Sequence, residues 1–163
     1  MKDLLARLAE AGSAAEADRM IAEKLRHETG AMLVSVGRYD ARAGRLRISH
    51  VSGNPDMLDD IRGILGQLPP NLDLRPGASL ETMISGPEAV EFLDLRQAFF
   101  GQVPEAIVSE LERALEIGRA YGLAFRRGRE LLGVSLVQMH RGGALDMATL
   151  ADYARRISAA LKS

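Results

Sequence analysis

An α+β fold is predicted by three features of this 163-residue sequence. Helical and strand-like stretches follow one another in the order helix, hairpin, irregular middle, helix, hairpin, helix. The strand-like stretches come in pairs joined by glycine-bearing turns, which is hairpin connectivity. All six prolines fall between Pro55 and Pro104, so short elements and loops are confined to the middle.

Leu4, Leu5, Leu8 and Ala11 recur at helical spacing, and Gly12 interrupts them. Ser13-Ala14-Ala15-Glu16 is a capping-box pattern, after which Ala14, Ala17, Ile21 and Leu25 share one face of a second helix. Gly30 is its expected stop, because glycine tolerates the left-handed conformation. Met32, Leu33, Val34 and Val36 are apolar at successive positions, which predicts a central strand covered on both sides. The segment 40–44 turns the chain. Leu46, Ile48 and His50 then alternate with Arg47, Ser49 and Val51, the pattern of a strand nearer an edge.

In the proline-bearing middle, short helices are expected from Met57 to Leu65 and from Leu80 to Ile84, with a short strand from Ala89 to Leu95. Pro104 suits the first turn of a helix running to about Ile117, with Ala106, Ile107, Leu111, Ala114 and Leu115 on its apolar side. Beyond it Arg119, Tyr121, Leu123 and Phe125 alternate with the small Ala120, Gly122 and Ala124, a face on which a helix is expected to approach the sheet closely. Gly128 marks the turn, and Leu131 to Met139 reads as a buried strand. Asp146 caps the last helix, where Met147, Leu150, Ala154, Ile157 and Leu161 are spaced 3, 4, 3, 4. That is a two-heptad seam of the kind that joins two copies of a chain.

Composition narrows the function classes. The net charge is −1, which removes the global basic field of a dedicated nucleic-acid binder. There is no cysteine, so disulfides, thiolate nucleophiles and cysteine zinc sites are excluded. No apolar run reaches the roughly 20 residues that span a bilayer, and no signal peptide opens the chain, so a cytoplasmic location is the expectation. There is no G-x-S-x-G, P-loop or H-E-x-x-H pattern, and a non-enzymatic role is expected.

Three stretches together resemble a GAF domain. GALDMATLADYARRISAAL looks like that family's closing segment. RAYGLAFRRGRELLGVSLVQM is similar to its final hairpin, with Gly133-Val134-Ser135-Leu136 as the hydrophobic strand, and ASLETMISGPEAVEFLDL is similar to its middle element. The similarity spans Ser13 to Leu161. It implies a central antiparallel sheet of five to six strands, with N- and C-terminal helices on one face and a loop and short-helix cover over a ligand pocket on the other. It also implies one domain over 1–163, with 1–12 as a lead helix and 13–162 as the core, taken from a longer signalling protein. In that reading the domain binds a small molecule or partner, dimerises through its terminal helices, and relays a signal to an output domain such as a histidine kinase or cyclic-dinucleotide phosphodiesterase. Bilin attachment and methionine-sulfoxide reduction in the family both use cysteines, which are absent. The family's cyclic-nucleotide pattern is not found in the middle. The ligand, and any cofactor, is therefore unknown. Two alternatives remain: a ligand-free dimerisation and relay module, and a PAS-like sensor. In a GAF domain, the last long strand should lie beside the first.

The candidate site residues follow. His50, at a strand end on the face of Leu46 and Ile48, is a hydrogen-bonding group for a pocket or a core histidine. Phe99 and Phe100, with Phe92 and Tyr121, are candidate aromatic lining or core filler. Arg96 and Arg119 are candidate anion contacts or surface ion-pair members. Met147, Leu150, Ala154, Ile157 and Leu161 form the expected dimer seam. His27, His50 and His140 lack metal-ligand spacing, so no metal site is expected. Asp56, Asp59 and Asp60 suit the dipole of a first helical turn. Arg126, Arg127 and Arg129 are expected to be a solvated hairpin tip, since no aromatic is interleaved to stack a base.

Overall fold

A computed structural model describes residues 1–66, 74–116 and 118–161. Its centre is one five-stranded antiparallel sheet made of β1 (Leu33–Asp40), β2 (Arg45–Gly53), β3 (Ala89–Phe92), β4 (Ala120–Arg127) and β5 (Glu130–Gln138). The spatial order is β2-β1-β5-β4-β3, so the last strand lies beside the first. Ser135 Oγ donates to the Ser35 carbonyl across that central pair at 2.8 Å.

Three helices cover one face: α1 (Lys2–Ala9), α2 (Ala14–Thr29) and α7 (Met147–Ala160). They form where the sequence marks them. Ser13 Oγ accepts from the Glu16 N–H at 3.2 Å, while Glu16 reaches back to the Gly12 N–H at 3.1 Å rather than to Ser13 itself. Gly30 ends α2 at φ 70. Asp146 accepts from the Thr149 N–H at 3.1 Å and opens α7. The helix-side core gathers Leu4, Leu8, Ile21, Leu25, Val34, Val36, Tyr121, Phe125 and Val137, all at least 95% buried. Each such side chain contributes roughly 1.5–3 kcal/mol of transfer free energy.

Leu150, Ala154, Ile157 and Leu161 belong to this same core, at 4% exposure or less, with Met147 packed at its margin. The expected dimer seam is thus an intramolecular one. α7 lies on β4 and against α1, and the periodicity that suits a second chain is satisfied by the chain's own sheet.

The opposite face is covered unevenly. Four further helices lie in the middle of the chain: α3 (Pro55–Leu65), α4 (Leu80–Ser85), α5 (Leu95–Ala98) and α6 (Glu105–Ala114). Asn54 caps α3, with Pro55 at its first position. α3, α5 and α6 bury Ile61, Leu95, Ile107, Val108 and Leu111 against Met32, Leu33 and Ala120, a second core at one end of the sheet. The expected strand at 89–95 is cut to Ala89–Phe92, because Asp94 caps α5 instead by accepting the Gln97 N–H at 2.9 Å. Pro104 is the cap of α6 rather than its first residue; of the expected end of that helix, Ile117 lies outside the described residues. No helix among the described residues is long and apolar enough to cross a membrane.

β2 departs from simple alternation. Gly37 pairs with Ile48 but Val36 pairs with His50, so Ser49 is an extra residue at a β-bulge. Ser49 and His50 therefore both turn toward the helix side, and Leu46 and Ile48 no longer share a face with His50. The bulge serves a buried charge. Asp18 of α2 is 1% exposed, and accepts from Ser49 Oγ at 2.6 Å and from Arg38 Nε at 2.7 Å.

Two outcomes test this packing. Asp18→Ala strips Arg38 and Ser49 of their shared acceptor and is expected to cost about 2–3 kcal/mol, read from the urea unfolding midpoint. Leu150→Asp combined with Ile157→Asp buries two unpaired charges and is expected to abolish the cooperative thermal transition in circular dichroism. A folded monomer from that double variant would show that α7 is peripheral.

Candidate functional site

The sheet face that α3, α5 and α6 leave uncovered is the floor of a cavity of about 370 Å³. The floor is built by Val90 and Phe92 of β3, Gly122 and Ala124 of β4, and Val134 and Leu136 of β5. Strand alternation explains this. Tyr121, Leu123 and Phe125 point into the helix-side core, so their small neighbours point the other way. The small stripe at 120, 122 and 124 does not admit a helix along its length. Ala120 meets the second core, Gly122 lies under Phe92, and Ala124 lines open space. A Cβ on Gly122 would sit 2.6 Å from the Phe92 ring, so only glycine lets that ring lie on the sheet.

The walls come from the irregular middle. Phe99 and Phe100 stand on one side, following α5, with Gln97 at the rim. Phe100 is held at φ 55, an uncommon conformation for a residue with a Cβ. The turn that sets it is closed by Phe100 N–H to Gln97 O at 3.2 Å and Gly101 N–H to Arg96 O at 2.9 Å. Ser79, Thr82 and Met83 come from the segment ending in α4, and Leu46 and Ile48 from β2. Ile48 is 48% exposed, an apolar side chain left on the rim.

The expected ligand contacts are only partly brought together. Phe99 and Phe100 line the cavity; His50, Arg96, Arg119 and Tyr121 do not. The Ser49 bulge carries His50 to the other face. Arg96 pairs with Glu105 at 3.9 Å and Arg119 with Glu91 at 3.4 Å, both with guanidinium groups more than half exposed. Tyr121 is 1% exposed in the helix-side core, where its hydroxyl accepts from the Leu145 N–H at 3.1 Å. His27 and His140 line a separate open cleft with Arg26 and Ser52. Among the described residues no three His, Cys, Asp or Glu side chains converge on a point that could hold a metal.

The hairpin tip is exposed at Arg127 and Arg129, as expected, but Arg126 is drawn in and all three arginines are bonded. Arg126, with a side chain only 16% exposed, donates to the carbonyls of Met83 at 3.1 Å, Ile84 at 2.8 Å and Gly86 at 2.6 Å. Those are orphan acceptors at the end of α4, and a planar guanidinium suits several at once. Arg126 also lies 3.5 Å from Glu88, and Arg155 of α7 reaches the same carboxylate at 3.5 Å. At the bulge after Phe125, the Arg126 N–H leaves the ladder and donates to Ser158 Oγ of α7 at 3.0 Å. Arg127 donates to the Leu161 carbonyl at the end of α7. Arg129 Nη2 donates to both carboxylate oxygens of Glu81, at 2.9 and 3.1 Å, and this contact holds the Glu81 carboxyl below the usual glutamate range. Three arginines thus fasten the cavity wall to the C-terminal helix. The only sequence signal for this was their clustering, which is silent about partners some 40 residues away.

No family model matches the sequence, and no curated protein matches it. Solved structures do. The chain is similar to residues 122 to 287 of a methyl-accepting chemotaxis protein, at 18% identity over 98% of this chain and 93% of that one, with a TM-score of 0.64. It is similar to the GAF domain of the cyanobacteriochrome TePixJ, at 13% identity over 94% and 91%, with a TM-score of 0.65. A GAF domain/HD domain protein from Geobacter sulfurreducens matches at 14% identity over 96% and 92%, with a TM-score of 0.63. The fold is that of a GAF domain, as the α+β order and the β1–β5 adjacency anticipate.

Two measurements check the clamp. Arg126→Ala leaves three carbonyls without their donor and Glu88 with Arg155 alone, and is expected to lower stability by about 2 kcal/mol, with faster amide exchange across 81–88. The Glu81–Arg129 pair has a depressed carboxylate, so its contribution is present above the ordinary glutamate pKa and is lost as pH falls through the lower folded value. Exchange of the α4 amides is expected to quicken, relative to β5, on acidification through that range, and Glu81→Gln is expected to remove the pH dependence.

Proposed function

We propose that this GAF-fold chain is a non-catalytic sensory domain that binds a small molecule in the front-face cavity and passes its occupancy to the C-terminal helix, and through it to an attached output domain. One observation carries the reading. The wall of the cavity and the last helix are fastened to the same hairpin tip, through Arg126 and Glu88 on one side and Ser158, Arg155 and the Leu161 carbonyl on the other. A ligand that shifts α4 changes what Arg126 can bond, and the N–H of that same residue holds α7. The neighbours in a chemotaxis protein and in a GAF/HD protein support a signalling context, and an output such as a histidine kinase or a cyclic-dinucleotide phosphodiesterase fits it. A seam of Met147 to Leu161 plays no part in this proposal, because those side chains are spent on the chain's own core.

Native mass spectrometry of the gently purified chain is expected to show a bound small molecule, absent from Val134→Phe, in which the floor is filled. Amide exchange at 155–161 is expected to slow in the bound form, and Arg126→Lys is expected to remove that response without removing binding. No bound species, together with identical exchange in the wild type and Val134→Phe, sinks the reading.

A further inference from the structure

We infer that the cavity takes a neutral, flat, mostly apolar ring compound carrying a hydrogen-bond acceptor directed at its rim; this rests on the small-molecule reading above. The floor carries no charged side chain; Ser35 of β1, the cross-strand partner of Leu136, brings a single small hydroxyl to its edge. Val90, Phe92, Ala124, Val134 and Leu136 form an apolar shelf, with Ala124 as its low centre, the Phe92 ring lying over Gly122, and the Phe99 and Phe100 side chains on its wall. A thin ring fits a shelf flanked by aromatics, where stacked and edge-to-face contacts add to burial. The volume of about 370 Å³ lies at the small end of ligand sites.

Charge argues for neutrality. Glu88 is already held by Arg126 and Arg155, each at 3.5 Å, and Glu91 by Arg119 at 3.4 Å. Arg47 also borders the cavity, but it is the cross-strand partner of Arg38, whose guanidinium bonds Asp18 on the helix side. Cross-strand partners share a face, so Arg47 borders the cavity with its backbone, whose carbonyl oxygen would be 3.2 Å from a Cβ on Gly37. A buried anion would therefore meet no cation on the floor, and burying an unpaired charge is costly.

The other polar groups sit at the rim. Gln97 is the oriented one. Its Oε1 accepts from the Leu93 N–H at 2.8 Å, which leaves the amide N–H pair as the donor. Ser79 and Thr82 bring hydroxyls to the same border. An acceptor on the outer edge of the ring, such as a carbonyl, matches this arrangement.

The test uses three probes of one skeleton, titrated calorimetrically into the full chain: naphthalene, 2-acetylnaphthalene and 2-naphthoate. 2-Acetylnaphthalene is expected to bind at least tenfold more tightly than 2-naphthoate. Ala124→Leu, which fills the shelf, is expected to weaken it at least tenfold while the melting temperature of the unliganded chain is retained. Gln97→Glu keeps the acceptor for Leu93 and loses the donor; it is expected to weaken 2-acetylnaphthalene about fivefold and leave naphthalene unchanged. Tighter binding of 2-naphthoate overturns the ligand class and leaves the sensory reading standing. Probe binding that ignores Ala124→Leu places the site elsewhere and overturns it too. A dimer in sedimentation that Ala124→Leu dissociates would make a second copy the occupant, and would overturn it. If no probe binds and the native chain carries no small molecule, both this inference and the sensory reading fall.

Discussion

The pairing of β1 with β5 is the constraint on which the rest of the molecule depends. It joins residues about 100 positions apart; helices roof one of its faces, and the second core roofs one end of the other. On one side Val34, Val36 and Val137 meet α2 and α7; on the other, Leu33 and Leu136 meet the second core. Such a pair closes a long loop before any local contact offsets the entropy, so it must be reinforced by everything packed on it. Gly133 shows how tight the pair is. A Cβ there would lie 2.4 Å from the Gly37 carbonyl oxygen, so the close approach of the two backbones excludes any side chain.

From that pair the two faces diverge for a simple reason. Three helices of 8, 16 and 14 residues have enough apolar stripe to cover one face of the sheet. The other face is covered by pieces of 11, 10, 6 and 4 residues, broken by prolines and by the caps at Asn54 and Asp94. Short pieces cannot tile a twisted sheet completely. What they leave is a shelf of small and branched side chains, and the cavity follows from incomplete coverage, walled by the ends of the same short pieces.

The hairpin tip solves a second problem created by the same shortness. A six-residue helix has little intrinsic stability, since nucleation is costly and few internal bonds repay it. α4 persists because Arg126 satisfies the carbonyls at its end and Arg129 grips Glu81 on it. Arg126, through its N–H, and Arg127 hold α7. An element that depends on borrowed hydrogen bonds is also one that a small perturbation can shift, which is the physical basis for relating cavity occupancy to the last helix.

The α+β class, the order of elements, the caps at Ser13, Gly30 and Asp146 and both hairpins were legible in the sequence, because periodicity, capping and turn chemistry are local. Phe99 and Phe100 were legible as candidates because aromatic side chains in a proline-bearing stretch have few other places to go. The reach of His50 was not, since one extra residue at Ser49 reverses a face, and only the demand of buried Asp18 for a donor explains it. The face of α7 was clear and its partner was not: a heptad stripe is equally content against a second chain or its own sheet. Likewise the stripe of Ala120, Gly122 and Ala124 announced a space without saying what fills it. Amino-acid order by itself determined which faces are apolar and where the chain turns. Tertiary structure alone decided which surfaces meet, because contact depends on lengths, bulges and coverage summed over the whole chain, and no local window contains that sum.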